Sequence, residues 1–240
     1  QPITVTEITY TRTADSKTTR AIIKTPDPLP LQAQPLIVAL HPINMSIDEF
    51  ATATNIDEEA IARNWSFIAP EAYGEGSDPD NHTSYDLAQE TLLTDLQDAI
   101  AQMQGLVNVN SSRIYLVTIH NTGLITTSYH TQPFAAAAAY WPITNLTSYA
   151  KQSNESQDGH QAYAQSFAEE LQASAYEHPF EYERKSPIHY PYNYRLPIRL
   201  WHHPDNDFIN HTQSESFKQA LQTAGQTTIT LTNTTQTDNL

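Results

Sequence analysis

The chain has 240 residues, no cysteine, and 12 Lys and Arg against 27 Asp and Glu, a net charge of −15. That charge disfavours nucleic acid and anionic membrane surfaces as partners, the lack of cysteine excludes a disulfide framework, and no apolar run reaches membrane-spanning length. A chain of this size buries a core without staples and fits a single domain over 1–240. Residues 4–13 alternate and pair with 18–24 across Ala14-Asp15-Ser16, an antiparallel start to a sheet. Pro26, Pro28, Pro30 and Pro35 then hold the connection extended. Five apolar, β-rich runs (36–40, 65–68, 113–117, 134–139 and 198–202) predict a parallel core. Between them, 47–63 reads as one helix and 85–103 as a longer one, with Leu87, Leu92, Leu96, Ile100 and Met103 at helical spacing. A short helix over 124–131, a polar helical insertion over 146–179 and a last helix over 214–224 complete the pattern. Strands alternating with helices predict an α/β fold: a doubly wound, mostly parallel sheet covered on both faces.

The run Arg113 to Gly123, R-I-Y-L-V-T-I-H-N-T-G, has the strand–turn–helix context of a nucleophile elbow, G-x-S-x-G. Aligned on that motif, Thr118 stands at the first glycine, His120 at the serine and Thr122 at the last glycine. Two threonines at positions where backbones approach closely argue against the usual elbow geometry. Other stretches point the same way: L-I-V-A-L-H (36–41) followed by Pro42, F-I-A-P-E-A-Y-G (67–74), F-A-A-A-A-A-Y-W-P-I-T-N (134–145), Y-E-R-K-S-P-I-H-Y (182–190), and L-P-I-R-L-W-H-H-P-D-N-D-F-I-N-H-T-Q-S (196–214). In this order they resemble the α/β-hydrolase fold, in particular the prolyl-oligopeptidase-like hydrolase domain. The resemblance implies an oxyanion loop at His41 and Pro42, and triad positions at His120, Asn206 and Asp238. The aspartate position is flanked by Asp205 and Asp207, and no histidine follows His211. Acyl transfer needs a hydroxyl or thiol, a base within reach and a group that orients the base. The expectation is therefore a hydrolase scaffold whose serine-hydrolase triad is lost. The alternative is an active secreted esterase or peptidase with an unrecognised nucleophile, for which Ser46, Thr118, Thr122 and Ser128 are the nearby hydroxyls.

Eight N-x-S/T sequons begin at Asn44, Asn64, Asn81, Asn110, Asn145, Asn154, Asn210 and Asn233. With Ser and Thr forming about a fifth of the chain, chance supplies roughly two or three. The excess predicts a secreted, extracellular protein bearing N-linked glycans, and Gln1 as first residue fits a mature chain after leader removal. Asn44, Asn210 and Asn233 fall where the crevice opens, so sugars there would crowd substrate entry. A third reading builds a metal site from His41, His120, His203 and Asp207, which map near the carboxyl ends of strands, where α/β folds place ligands. No local ligand spacing demands it, and nothing else in the sequence calls for a cofactor. The reading that absorbs most features is a non-catalytic glycoprotein acting by self-association, as a homo-oligomer or extracellular assembly. Its contact surfaces are the 4–24 hairpin edge and the aromatic stretch 176–194, which carries Tyr176, Phe180, Tyr182, Tyr190, Tyr192 and Tyr194 and no sequon.

Overall fold

A computed structural model describes residues 3–42, 45–71, 91–120, 123–155, 168, 171, 174–204 and 209–234. Eight strands form one sheet in the order β1-β2-β4-β3-β5-β6-β7-β8. These are β1 (Ile3–Thr11), β2 (Thr18–Pro26), β3 (Gln34–Leu40), β4 (Ser66–Pro70), β5 (Val109–Ile119), β6 (Ala136–Tyr140), β7 (Ile198–His202) and β8 (Ile229–Asn233). β1 and β2 form the expected antiparallel hairpin, β2 joins β4 antiparallel, and every pair from β4 to β8 is parallel. All five runs predicted as the parallel core are strands of that core. Their β-branched and aliphatic residues suit a pleated surface buried on at least one side.

The helices depart from expectation in two places. Residues 47–63 form two short helices, α1 (Ile47–Ala53) and α2 (Ile56–Ala62). Ser46 and Glu49 close a reciprocal capping box at the start of α1. At its end Thr54 turns extended, its N–H and hydroxyl both donating to the Phe50 carbonyl, and the helix stops there. The long helix α3 runs Thr91–Leu106 and buries Leu92, Leu96, Ile100 and Met103, while 85–90 lie outside the described residues. The helix expected over 124–131 is instead a 3₁₀ segment, Gly123–Ser128. Three consecutive hydroxyls, on Thr126, Thr127 and Ser128, donate to the carbonyls three residues back. They tie the segment into the tight i,i+3 pattern that runs only a few residues.

Of the stretch 146–179, α4 (Leu146–Glu155) is helical, and most of 156–173 lies outside the described residues. Beyond it come α5 (Pro179–Arg184) and α6 (Thr212–Thr223). Buried Gln213 on α6 ties these parts together. Its Oε1 accepts from the backbone N–H groups of Thr144 and Asn145 at 3.0 and 2.7 Å, and its Nε2 donates to the Asn145 carbonyl at 3.2 Å.

Among the described residues both faces of the sheet are shielded over β4, β3 and the end of β5, where Val117 and Ile119 are buried on the second face. One face is buried throughout: Leu36, Val38, Leu40, Leu116, Thr118, Ala139, Leu200 and His202 are all shielded. The opposite face is covered by α1 and α2 over β2 and β4, but no described helix lies over β5 to β8. There Arg113, Arg199 and Thr230 are exposed, and Tyr115, Ala138, Tyr140, Trp201 and Thr232 are half-buried. Two arginine–aromatic stacks occupy that face. Arg199 lies 4.8 Å over the Trp201 ring, which stacks on Tyr140 at 4.5 Å, and Arg113 lies 5.7 Å over Trp65, which stacks on Tyr115 at 5.3 Å. Such stacks cover apolar ring area with a guanidinium where a helix would otherwise be needed.

Candidate functional site at the carboxyl ends of the strands

β5 and β6 both end in a residue with left-handed backbone. His120 has φ 50° and Trp141 has φ 47°. Each is pinned by a main-chain bond to the next strand: His120 N–H donates to the Tyr140 carbonyl at 3.0 Å, and Trp141 N–H to the Trp201 carbonyl at 2.9 Å. A left-handed non-glycine residue costs on the order of 1–2 kcal/mol, which neighbouring pairing must offset. His120 thus takes left-handed backbone with Thr118, at the first glycine position, two residues before it. Thr118 sits fully buried inside β5 and leaves the turn to His120. Thr122 lies outside the described residues.

The imidazole of His120 packs against the Trp141 ring, centroids 4.9 Å apart. Burial pushes its pKa down to about 4, so the ring is neutral at pH 7. His41, at the end of β3, is buried and donates from Nδ1 to the Pro42 carbonyl at 2.8 Å. Burial lowers its pKa to about 4 as well, outweighing hydrogen bonds to the backbone at Pro42 and Met45. His202 is shielded at the end of β7, 5.8 Å from the His211 ring. Its pKa is lowered by burial, against an opposing hydrogen bond with the Asn233 side chain. His203 is half-buried beside it. Asn206 and Asp238, with Asp205 and Asp207, lie outside the described residues, so of the three triad positions only His120 is placed. Among the described residues, no three His, Asp or Glu side chains converge as a metal ion requires.

The hydroxyls named as alternative nucleophiles hold structural posts. Ser46 caps α1. Thr118 is enclosed in the sheet. Ser128 donates to the Ile125 carbonyl. A nucleophile needs a base within reach; the Ser46 and Ser128 hydroxyls bond to a helix cap and a carbonyl instead, and the Thr118 hydroxyl is enclosed with no partner among the described residues. The sequons divide by exposure. Asn64, with φ 59°, Asn210 and Asn233 are exposed, while Asn110 and Asn145 are half-buried. Asn154 falls in α4, and Asn44 and Asn81 lie outside the described residues.

Two features had no usable signal in the sequence. The Tyr140–Trp141–Trp201 ring cluster exists because adjacent parallel strands bring Tyr140 opposite Trp201. A polar groove of about 330 Å³ is lined by Asn145, Thr147, Ser148, Lys151, Gln152, Glu183 and His189. It joins α4 to α5 and the turn after it, across more than thirty residues of chain.

No family model and no curated protein matches the sequence. Solved structures do match. The acylaminoacyl peptidase of Pyrococcus horikoshii superposes with a TM-score of 0.76 at 13% identity, over 97% of this chain and 37% of that one. A puromycin hydrolase gives 0.74 at 15% identity, over 97% and 35%, and oligopeptidase B from Leishmania major 0.66 at 12%, over 96% and 32%. The chain thus spans about a third of the length of the proteins it matches. Identity this low carries the fold alone, and with the strand order and the parallel core it makes this chain an α/β-hydrolase fold of the kind found in prolyl-oligopeptidase-type peptidases.

Proposed function

We propose that the chain is a secreted, N-glycosylated protein on an α/β-hydrolase scaffold, without serine-hydrolase activity, that works by association with copies of itself. The observation that carries the loss of activity is His120: a half-buried, neutral imidazole with its Nε2 shielded stands at the end of β5, where the fold displays its nucleophile. An imidazole there supplies neither the hydroxyl nor the thiol that a stable acyl-enzyme needs. Secretion and glycosylation rest on eight sequons, several times the chance number, with Asn64, Asn210 and Asn233 exposed.

Three surfaces support association. β1 is a sheet edge of 9 residues whose stretch from Thr4 to Glu7 is exposed, a template for strand addition. Tyr176, Phe180 and Tyr192 are 65, 69 and 71% exposed, while Tyr182 and Tyr194 from the same stretch pack inward. The open face of β5 to β8 carries Arg113 and Arg199 and no acidic side chain on its strands, so its complement in charge is the acidic surface of a second copy.

Incubation of native protein with a fluorophosphonate probe and with short-chain p-nitrophenyl esters tests the reading. The expected result is no label and no turnover. The second reading, an active serine peptidase or esterase, draws on the peptidase and hydrolase names of the matching structures. Labelling that disappears when one serine becomes alanine would establish it.

A further inference from the structure

We propose that Asn145 carries an N-linked glycan whose first N-acetylhexosamine packs into the polar groove between α4 and α5. The inference rests on the glycoprotein reading above and adds to it a particular site and a built seat for the sugar.

Asn145 is held at both its backbone and its side chain. Its backbone N–H donates to Gln213 Oε1 at 2.7 Å, its carbonyl accepts from Gln213 Nε2 at 3.2 Å, and its Oδ1 accepts from the Ser148 N–H at 2.9 Å, capping α4. Among the described residues its Nδ2 makes no hydrogen bond, which leaves that nitrogen for a glycosidic link. The chemistry is compatible with the cap. A lipid-linked oligosaccharide diphosphate is the donor; its anomeric C–O bond breaks, the diphosphate leaves with the electron pair, and Nδ2 forms the new C–N bond as it loses one proton. Oδ1 remains an amide carbonyl and goes on accepting from Ser148.

Asn145 lines a groove of about 330 Å³, at the small end of the range for ligand sites, about 300–1,000 Å³. Its walls offer what a sugar ring with hydroxyls and an acetamide would use: the Lys151 ammonium as donor, Glu183 as acceptor, and Gln152, Ser148 and His189 as either. Lys151 is positioned over the Tyr176 ring at 5.5 Å. The sequon hydroxyl adds an independent observation. Thr147 Oγ1 is buried and makes no hydrogen bond among the described residues, so the fold gains nothing from that hydroxyl and bears its desolvation. A hydroxyl that the folded state does not use is the one that sequon recognition requires.

The test is expression of the full chain through a eukaryotic secretory pathway, with glycopeptide mass spectrometry and timed release by peptide-N-glycosidase. Asn145 is expected to be occupied. In native protein its glycan should be released at least tenfold more slowly than those on Asn64 and Asn210, with the difference gone after denaturation. Thr147→Ala should remove this glycan while keeping the Asn145 cap, and Thr147→Ser should keep both. Glycans on other sequons with Asn145 bare, or release from Asn145 as fast as from Asn64, would overturn the inference and leave the glycoprotein reading standing. No sugar on any sequon would overturn both.

Discussion

Gln213 is the residue through which α6 holds the β6–α4 connection, and replacing it with leucine removes that tie without opening a cavity. In the native protein its Oε1 accepts from two backbone N–H groups, Thr144 at 3.0 Å and Asn145 at 2.7 Å, with the Thr144 hydroxyl at 3.3 Å. Thr144 and Gln213 are buried, at 0 and 3% exposure, so water does not replace the lost acceptor at the Thr144 N–H. An orphaned buried donor costs about 1–3 kcal/mol. Asn145 is only half-buried and lies toward the low end of that range, and the Thr144 hydroxyl keeps its separate bond to the Gln213 carbonyl at 2.7 Å. The sum for Gln213→Leu is a loss of about 3 kcal/mol, which for a chain of this length lowers Tm by roughly 6–12 °C. Urea unfolding followed by tryptophan fluorescence measures it, with Thr144→Val as control; that change removes one hydroxyl, leaves both N–H bonds in place and should cost about 1 kcal/mol. A loss below 1 kcal/mol for Gln213→Leu, with an unchanged m-value, would refute the claim that the amide satisfies donors that water cannot reach.

Two further outcomes follow from buried groups. His41 and His120, held near pKa 4 by burial, take up protons in the unfolded chain at about 6.5 but resist them when folded. Their contribution to stability is thus fully present above pH 6.5 and falls as pH drops toward 4, by on the order of 3 kcal/mol for each histidine. His120→Gln should flatten the stability profile over pH 4–6.5 relative to the native chain, and an unchanged slope would show that His120 is not buried neutral. Thr118→Val exchanges a buried hydroxyl, which has no hydrogen bond among the described residues, for an apolar group of the same shape. Thermal unfolding should show no loss and a gain of up to about 1 kcal/mol, and a loss of that size would mean the hydroxyl is bonded after all.

The sequence by itself determined the element types of the core and their order. Runs such as L-I-V-A-L and R-I-Y-L-V are apolar and β-branched, and lie between segments of helical period, so each strand is readable from its own residues. It also placed His120 at the end of β5, because the strand before it and the turn after it are local signals. What only tertiary structure decided depends on partners far along the chain. The break at Thr54 comes from its extended backbone, held where both its N–H and its hydroxyl donate to the Phe50 carbonyl, which helical periodicity does not register. The exposure of one face over β6 to β8 depends on which helices return over which strands, and the alanines of β6 look alike on both faces. The groove at Asn145 needs Glu183 and His189 brought to α4 from more than thirty residues away. The low pKa values of His41 and His120 arise from enclosure, and a side chain's enclosure is fixed by packing rather than by its neighbours in sequence.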